Sequence, residues 1–248
     1  MLKKIVWLLR GFLALLDFRK WGVFQEIFQE TRFNAAISPS WSQAGEDISI
    51  APFLSDAKLD KFYIDVGAHD PNRFSVTRKL YTQGWSGIDV DGNPTYEAKF
   101  RKLRPRNLFI NACIGSLKSY EFTIFTEGAI STANKNWVDK FQSEGAEVKE
   151  VVKIPGMTLR ELINLPKVPE TVGFINIDIE GADEDALRSL ELETLPIKRF
   201  PKWLLLETTP PVQGALMFPA VQYAVSHGYI PWLVLPMATL LKAPEIEG

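Results

Sequence analysis

The chain predicts an α/β protein with a mostly parallel central sheet and helices on both faces, and three observations support this. First, four short apolar runs end in carboxylates: residues 62–66 with Asp65, 87–91 with Asp91, 174–180 with Asp178 and Glu180, and 203–207 with Glu207. Runs of this length and composition, punctuated by glycine, read as buried strands. Second, the stretches between them carry apolar residues at helical spacing, as at Ala186, Leu187 and Leu190. Alternation of the two periods is the mark of βα units. Third, 248 residues at 46% hydrophobic and 23% charged suffice for one full α/β core. The expected organisation is a leader over residues 1–40 and a single domain over residues 41–248.

Bulk composition narrows the function. A formal net charge of -2 gives no support for a nucleic-acid partner. The single cysteine, Cys113, excludes an intramolecular disulfide and points to a reducing, cytoplasmic compartment. Two histidines and one cysteine cannot build a His/Cys zinc cluster.

The leader begins with lysines followed by an apolar run, but Arg10 breaks the run, no small-residue cleavage site follows, and it is short of the ~20 apolar residues that span a bilayer. Lys3, Lys4, Arg10, Arg19 and Lys20 against Asp17 give +4 over the first twenty residues, interleaved with Trp7, Phe12 and Phe18. Such a helix suits the inner face of an anionic membrane, and equally a contact with the domain or with a second copy through residues 1–21.

The domain follows in order. Residues 38–40, Ser-Pro-Ser, form a break, and Glu46 and Asp47 then open a helix, favourable to the positive end of its dipole. The strand at 62–66 leads into Gly67, where a side chain would obstruct a ligand approaching the backbone. Residues 74–81 are compatible with a helix closed by Gly84, and 85–90 with a second strand. Asn93 and Pro94 signal the start of a helix that runs to 103, with Lys99, Arg101, Lys102, Arg104 and Arg106 as its solvated face. A third strand is expected over 108–114 and another over 120–125. Residues 127–136 are polar and aperiodic, 137–150 start as a helix, and 151–155 read as a strand. Thr158 and Glu161 form a capping box. After the strand at 174, Gly181 and Ala182 turn the chain into a helix over 183–190. The strand at 203–207 is followed by a break at 210–211 and a helix over 212–228 that closes at Gly228. Pro231 confines the run 229–235 to an edge or a loop, and the tail from Lys242 reads as loose.

In open α/β sheets, ligands sit beyond the carboxyl ends of the strands, so the four strand-end acids should converge on one crevice. Asp91 lies about 20 residues after the glycine turn, where a dinucleotide fold places the acid that binds a ribose hydroxyl. Yet Gly67 is followed by Ala68, His69 and Asp70 with no second or third glycine, so the turn is not a pyrophosphate loop. Acids flanking the turn suit a cationic sulfonium and its amino group instead.

These residues carry a resemblance. Ser42-Gln43-Ala44-Gly45-Glu46-Asp47, Tyr63-Ile64-Asp65-Val66-Gly67-Ala68-His69, Gly84-Trp85-Ser86-Gly87-Ile88, Asp91-Gly92-Asn93-Pro94, Asn111-Ala112-Cys113-Ile114 and Ile177-Asp178-Ile179-Glu180-Gly181 resemble, in order and spacing, the FkbM family of methyltransferases. The resemblance implies a Rossmann-like class I methyltransferase fold with an added β-hairpin, and methyl transfer from S-adenosylmethionine, usually to a hydroxyl of a sugar or secondary metabolite. It implies that Gln43, Glu46 and Asp47 form a lid over the cofactor, that Cys113 and Ile114 lie near the adenine, and that Ser131 and Thr132 belong to a substrate-side loop. The cofactor set is then Gln43, Glu46, Asp47, Asp65, Gly67, Ala68, Asp91, Gly92, Asn93, Cys113, Ile114 and Asp178. For a hydroxyl acceptor the candidate bases are His69, Asp178, Glu180 and Glu207, of which His69 has the pKa suited to neutral operation. Two apart on a strand, Asp178 and Glu180 share a face and could bind the amino group of methionine, bond the acceptor or, as the less favoured role, hold a divalent metal. The alternative function is a binding or scaffold module of this fold, without catalysis, attached to a membrane or partner through its leader.

Overall fold

The structure, a computed structural model, describes residues 38–56, 59–208 and 212–245, so the expected leader helix lies outside the described residues. The strands are β1 (Phe62–Val66), β2 (Ser86–Asp91), β3 (Leu108–Asn111), β4 (Cys113–Ile114), β5 (Ser119–Phe125), β6 (Val148–Met157), β7 (Phe174–Ile177), β8 (Trp203–Glu207), β9 (Ile230–Val234) and β10 (Ala238–Lys242). The helices are α1 (Glu46–Ile50), α2 (Arg78–Thr82), α3 (Glu97–Leu103), α4 (Lys135–Ser143), α5 (Leu159–Ile163), α6 (Asp183–Arg188) and α7 (Pro219–Ser226).

One seven-stranded sheet has the order β3-β2-β1-β7-β8-β10-β9. The pairings from β3 to β8 are parallel, and β10 runs antiparallel to both its neighbours. The winding direction reverses between β1 and β7, so their carboxyl ends frame the crevice in which such sheets bind ligands. Alternation along the strands makes two cores. Ile64, Val66, Ile175, Ile177, Leu204 and Leu206 face α5, α6 and α7 on one side, whereas Tyr63, Phe174, Trp203 and Leu205 join residues of α1 and α2 on the other. Burial of each such side chain stabilises by about 1.5–3 kcal/mol, so the sheet is the rigid platform for what lies at its edge.

The added hairpin is present as β5 paired antiparallel with β6, with α4 between them and β4 parallel to β6. Cys113 and Ile114 therefore do not continue the third strand of the large sheet. The Ala112 N–H bonds to the Asp91 carbonyl (3.2 Å), and from there the chain crosses to the small sheet.

Four further expectations are corrected. The helix over 74–81 shrinks to α2: the Ser75 N–H donates to the Trp41 carbonyl (2.9 Å), Arg104 grips the Pro71 carbonyl (2.7 Å), and Phe74 takes φ 57. Arg104 is not on a solvated face. It is fully buried, ion-paired to Asp89 (2.7 Å) and bonded to Tyr63, Thr77 and Ser75. The helix over 212–228 is cut at Phe218, because Pro219 can begin α7 but cannot continue the 3-10 turn Val212–Met217. β9 is the edge strand that Pro231 allowed, and the sheet position beside it is filled by β10, a strand not expected from the sequence, whose last residue, Lys242, was read as the start of a loose tail.

Candidate functional site

Gly67, at φ 84, ends β1. A Cβ there would lie 1.8 Å from the Asp178 carbonyl oxygen, so glycine is needed for the approach of β7 rather than of a ligand. The Gly67 and Ala68 N–H groups both donate to the Val90 carbonyl at 3.0 Å. That tie turns the chain across the end of β2 and delivers His69 to Asp91. The Asp91 carboxylate accepts from the His69 N–H (2.8 Å) and from the Asn93 N–H (2.7 Å). Burial pushes its pKa up to about 6, against the pull of these two donors.

Two cavities open from this point. A narrow slot has apolar walls, Val66, Val90, Ala112, Ile114 and Phe122, with Asp91 and Cys113 among its lining. Gly92 leaves room for the Phe122 ring, which a Cβ would meet at 2.6 Å. A wider cleft is lined by polar groups, among them Gln43, Glu46, Arg73, Glu127, Asn176 and Glu207. Gly67, His69, Ala129, Asp178 and Glu180 line both, and so form the junction.

Two non-glycine residues at the junction are in the left-handed region, His69 at φ 46 and Glu180 at φ 53. Strain of this kind persists only where surrounding contacts hold it. His69 sits edge-on to the Tyr96 ring (centroids 5.0 Å apart), its Nδ1 is buried without a hydrogen-bond partner among the described residues, and burial lowers its pKa, leaving a neutral imidazole at pH 7. Glu180 is held by the loop after β5. Thr132 Oγ1 donates to the Glu180 carbonyl (3.1 Å), Asn134 Nδ2 to the Gly181 carbonyl (2.6 Å), and Trp137 packs where a Gly181 Cβ would be. Over the cleft, Arg73 and Glu127 form a fork of two bonds, 2.8 and 2.9 Å.

The acids raise one another. Burial and then the neighbouring charge of Asp183 bring Glu180 to about 7. Burial dominates for Asp178, followed by Glu180 and Asp183, and for Glu207, followed by Asp178; both are pushed well above the usual carboxylate range.

Of the residues expected at the site, His69, Gly67, Asp91, Gly92, Cys113, Ile114, Asp178 and Glu180 line the slot, while Gln43, Glu46 and Glu207 line the cleft. Asp178 and Glu180 reach the junction by a turn, not by sharing a strand face, because β7 stops at Ile177. Asp65, Ala68, Asn93 and Asp47 line neither cavity. The pleat turns Asp65 sideways with Tyr63, where it accepts from Thr77 (2.5 Å) and Asn176 (2.9 Å). Asn93 caps the turn Pro94–Tyr96 through the Thr95 N–H. Asp47 ties down its own loop, accepting from Ser40, Ser42 and the Trp41 N–H. Sequence reasoning missed Arg73, Glu127, Tyr96 and Met237, which carry no local signature. Asp183 could have been found from its position beside the Asp178–Glu180 pair. Among the described residues no group of three or more His, Cys, Asp or Glu side chains is arranged to hold a metal ion.

No curated relative matches the chain. Among solved structures, precorrin-6y C5,15-methyltransferase from Geobacter metallireducens GS-15 is 14% identical with a TM-score of 0.43, over 85% of this chain and 94% of that one. A TehB-like SAM-dependent methyltransferase from Corynebacterium glutamicum ATCC 13032 Kitasato is 12% identical with a TM-score of 0.42, over 90% and 99%. The human methyltransferase 10 domain containing protein is 9% identical with a TM-score of 0.42, over 84% and 83%. The methyltransferase FkbM domain matches residues 65–227, more than half of the chain, from the last residues of β1 through α7. The chain therefore belongs to the FkbM family of S-adenosylmethionine-dependent methyltransferases.

Proposed function

We propose that the chain methylates a hydroxyl oxygen of a glycan, a glycolipid precursor or a related polar metabolite. The observation that supports this reading is the meeting of two unlike cavities at His69, Asp178 and Glu180. The slot fits S-adenosylmethionine. Its apolar walls suit an adenine, Asp91 retains lone pairs for ribose hydroxyls beyond the two N–H groups it accepts, and the junction acids suit a cationic end. Gly67, Asp91, Gly92, Cys113 and Ile114 are accordingly assigned to the cofactor.

When bound, S-adenosylmethionine supplies an electrophilic methyl carbon whose bonding pair stays on sulfur. The residues of this chain do the rest. Neutral His69 faces both cavities and takes the hydroxyl proton as the new O–C bond forms. Glu207, its carboxyl pushed up by burial, lines the cleft where the acceptor would lie, and the Arg73–Glu127 fork bounds the cleft beside it. Orientation of the hydroxyl against the methyl carbon supplies much of the rate. No described helix is long and apolar enough to cross a membrane, and the basic, aromatic leader is the proposed contact with an anionic membrane surface or a second copy.

Calorimetric titration with S-adenosylhomocysteine, followed by transfer of labelled methyl to hydroxylated glycans, tests the reading. Micromolar binding that Asp91→Ala loses is the expected result. A folded protein that does not bind S-adenosylhomocysteine would sink the enzyme reading altogether.

A further inference from the structure

We infer that the wider cleft takes an acceptor bearing a cationic amino group, an amino sugar or amino alcohol, whose ammonium is held by Glu46 and Glu207. This rests on the methyltransferase reading and names the class of its substrate.

Glu46 carries the argument. It is 4% exposed and lines the cleft; its Oε2 accepts from the Ala44 N–H at 3.0 Å, but its Oε1 is buried without a hydrogen-bond partner among the described residues. A buried carboxylate oxygen left without a donor is costly, so a donor from a bound molecule is the missing partner. Glu207 lines the same cleft from the end of β8. Behind them stand Asp178, Glu180 and Asp183: Asp178 feels the charge of Glu180, Asp183 and Glu46, Glu180 that of Asp183, and Glu207 that of Asp178, Asp183 and Glu180. Among the described residues, Lys140, which lies over the Trp137 ring at 4.1 Å, is a cation whose charge reaches both Glu180 and Glu207.

One cationic end of the cofactor does not account for this many acids. Asp178 and Glu180 line the slot as well as the cleft, and they suffice for a cofactor entering from the slot. Glu46 and Glu207 line the cleft alone. A neutral hydroxylated acceptor would bring a single donor and no charge to the bare Oε1 of Glu46, whereas an ammonium offers three N–H donors and a full positive charge. Its arrival would also ionise Glu207, which burial holds protonated, and so expel a proton to solvent.

The test uses the full chain saturated with S-adenosylhomocysteine at pH 7.0. It is titrated calorimetrically with the β-1,4-linked disaccharide of glucosamine and with its di-N-acetylated counterpart, each in phosphate and in HEPES buffer. The amino form should bind about tenfold more tightly, as a charge-assisted contact would give, and its apparent enthalpy should differ between buffers because a proton is released. Glu46→Gln and Glu207→Gln should each lose that preference while still binding S-adenosylhomocysteine, which also reports that they are folded. Equal affinity for the two sugars, or no binding of either, overturns the inference and leaves the methyltransferase reading standing. Loss of S-adenosylhomocysteine binding in both variants, with the sugar preference intact, places these acids on the cofactor and likewise overturns it. Failure of the wild-type chain to bind S-adenosylhomocysteine removes the reading on which the inference rests.

Discussion

Replacing Asp91 by asparagine probes the slot with little change of shape. Each carboxylate oxygen of Asp91 accepts one backbone N–H, from His69 at 2.8 Å and from Asn93 at 2.7 Å. The amide must turn its NH₂ toward one of them, so one buried N–H loses its acceptor, at a cost of about 1–3 kcal/mol in stability. The cofactor loses a charged acceptor for its ribose, worth about 1.5–3 kcal/mol or roughly 10- to 150-fold in affinity. The pH dependence follows from the same group. Burial raises Asp91 from 3.8 to about 6, and hydroxyl donors favour its ionised form, so affinity is full above about 6 and falls as Asp91 takes up a proton below it. The effect on stability has the opposite sign: ionising the buried carboxyl between 3.8 and about 6 weakens the fold as pH rises. Titration of wild type and Asp91→Asn with S-adenosylhomocysteine from pH 5 to pH 8 separates these effects. A folded variant that binds as tightly as wild type, with the same pH profile, would refute the assignment of Asp91 to the ribose.

Four other outcomes are expected. Arg104→Met should cost about 3–5 kcal/mol in urea denaturation, because it leaves Asp89 buried and unpaired, and a loss below about 1 kcal/mol would contradict that account. Gly67→Ala meets both a left-handed φ and the Asp178 carbonyl, and should cost about 3 kcal/mol or more or abolish folding; a variant that melts like wild type would mean that β1 and β7 separate easily. His69→Asn should slow methyl transfer about 10²- to 10⁴-fold and remove the limb of the pH–rate profile that rises through a pKa below 6.5, whereas an unchanged limb would move the base elsewhere. In a double-mutant cycle, Arg73 and Glu127 should couple by less than about 1 kcal/mol in stability despite their two short bonds, since both side chains are about half exposed; a larger coupling would show the fork to be shielded from water.

Much of the fold was legible because burial leaves a periodic trace. The four carboxylate-ended strands lie side by side as β1, β2, β7 and β8, and the capping box at Thr158 and Glu161 is formed as spaced. β9 takes the edge position that Pro231 demands. β10 was not legible, because four apolar or small residues after Pro236 and Met237 are too short a run to announce a strand until β8 and β9 pair with them. Arg104 was hidden for a related reason. Among five basic residues in a row of eight positions, nothing local singles out the one that meets Asp89.

By itself, the sequence determined which residues lie at the ends of strands, and with them the family and the neighbourhood of the site. Local periodicity and turn chemistry decide that much, since they act over a few residues. Tertiary structure alone decided which strand-end groups face a ligand. Asp65 and Asp91 look alike in sequence, but the pleat sends Asp65 to Thr77 and Asn176 beneath the helices, while Asp91 ends its strand and opens on the slot. It also brought Glu46, Asp178, Glu180 and Glu207 from three distant segments to one cleft. Their mutual repulsion and burial, and the unmet oxygen of Glu46, arise only when the sheet brings those segments together, because neither desolvation nor Coulomb interaction is a property of a residue alone.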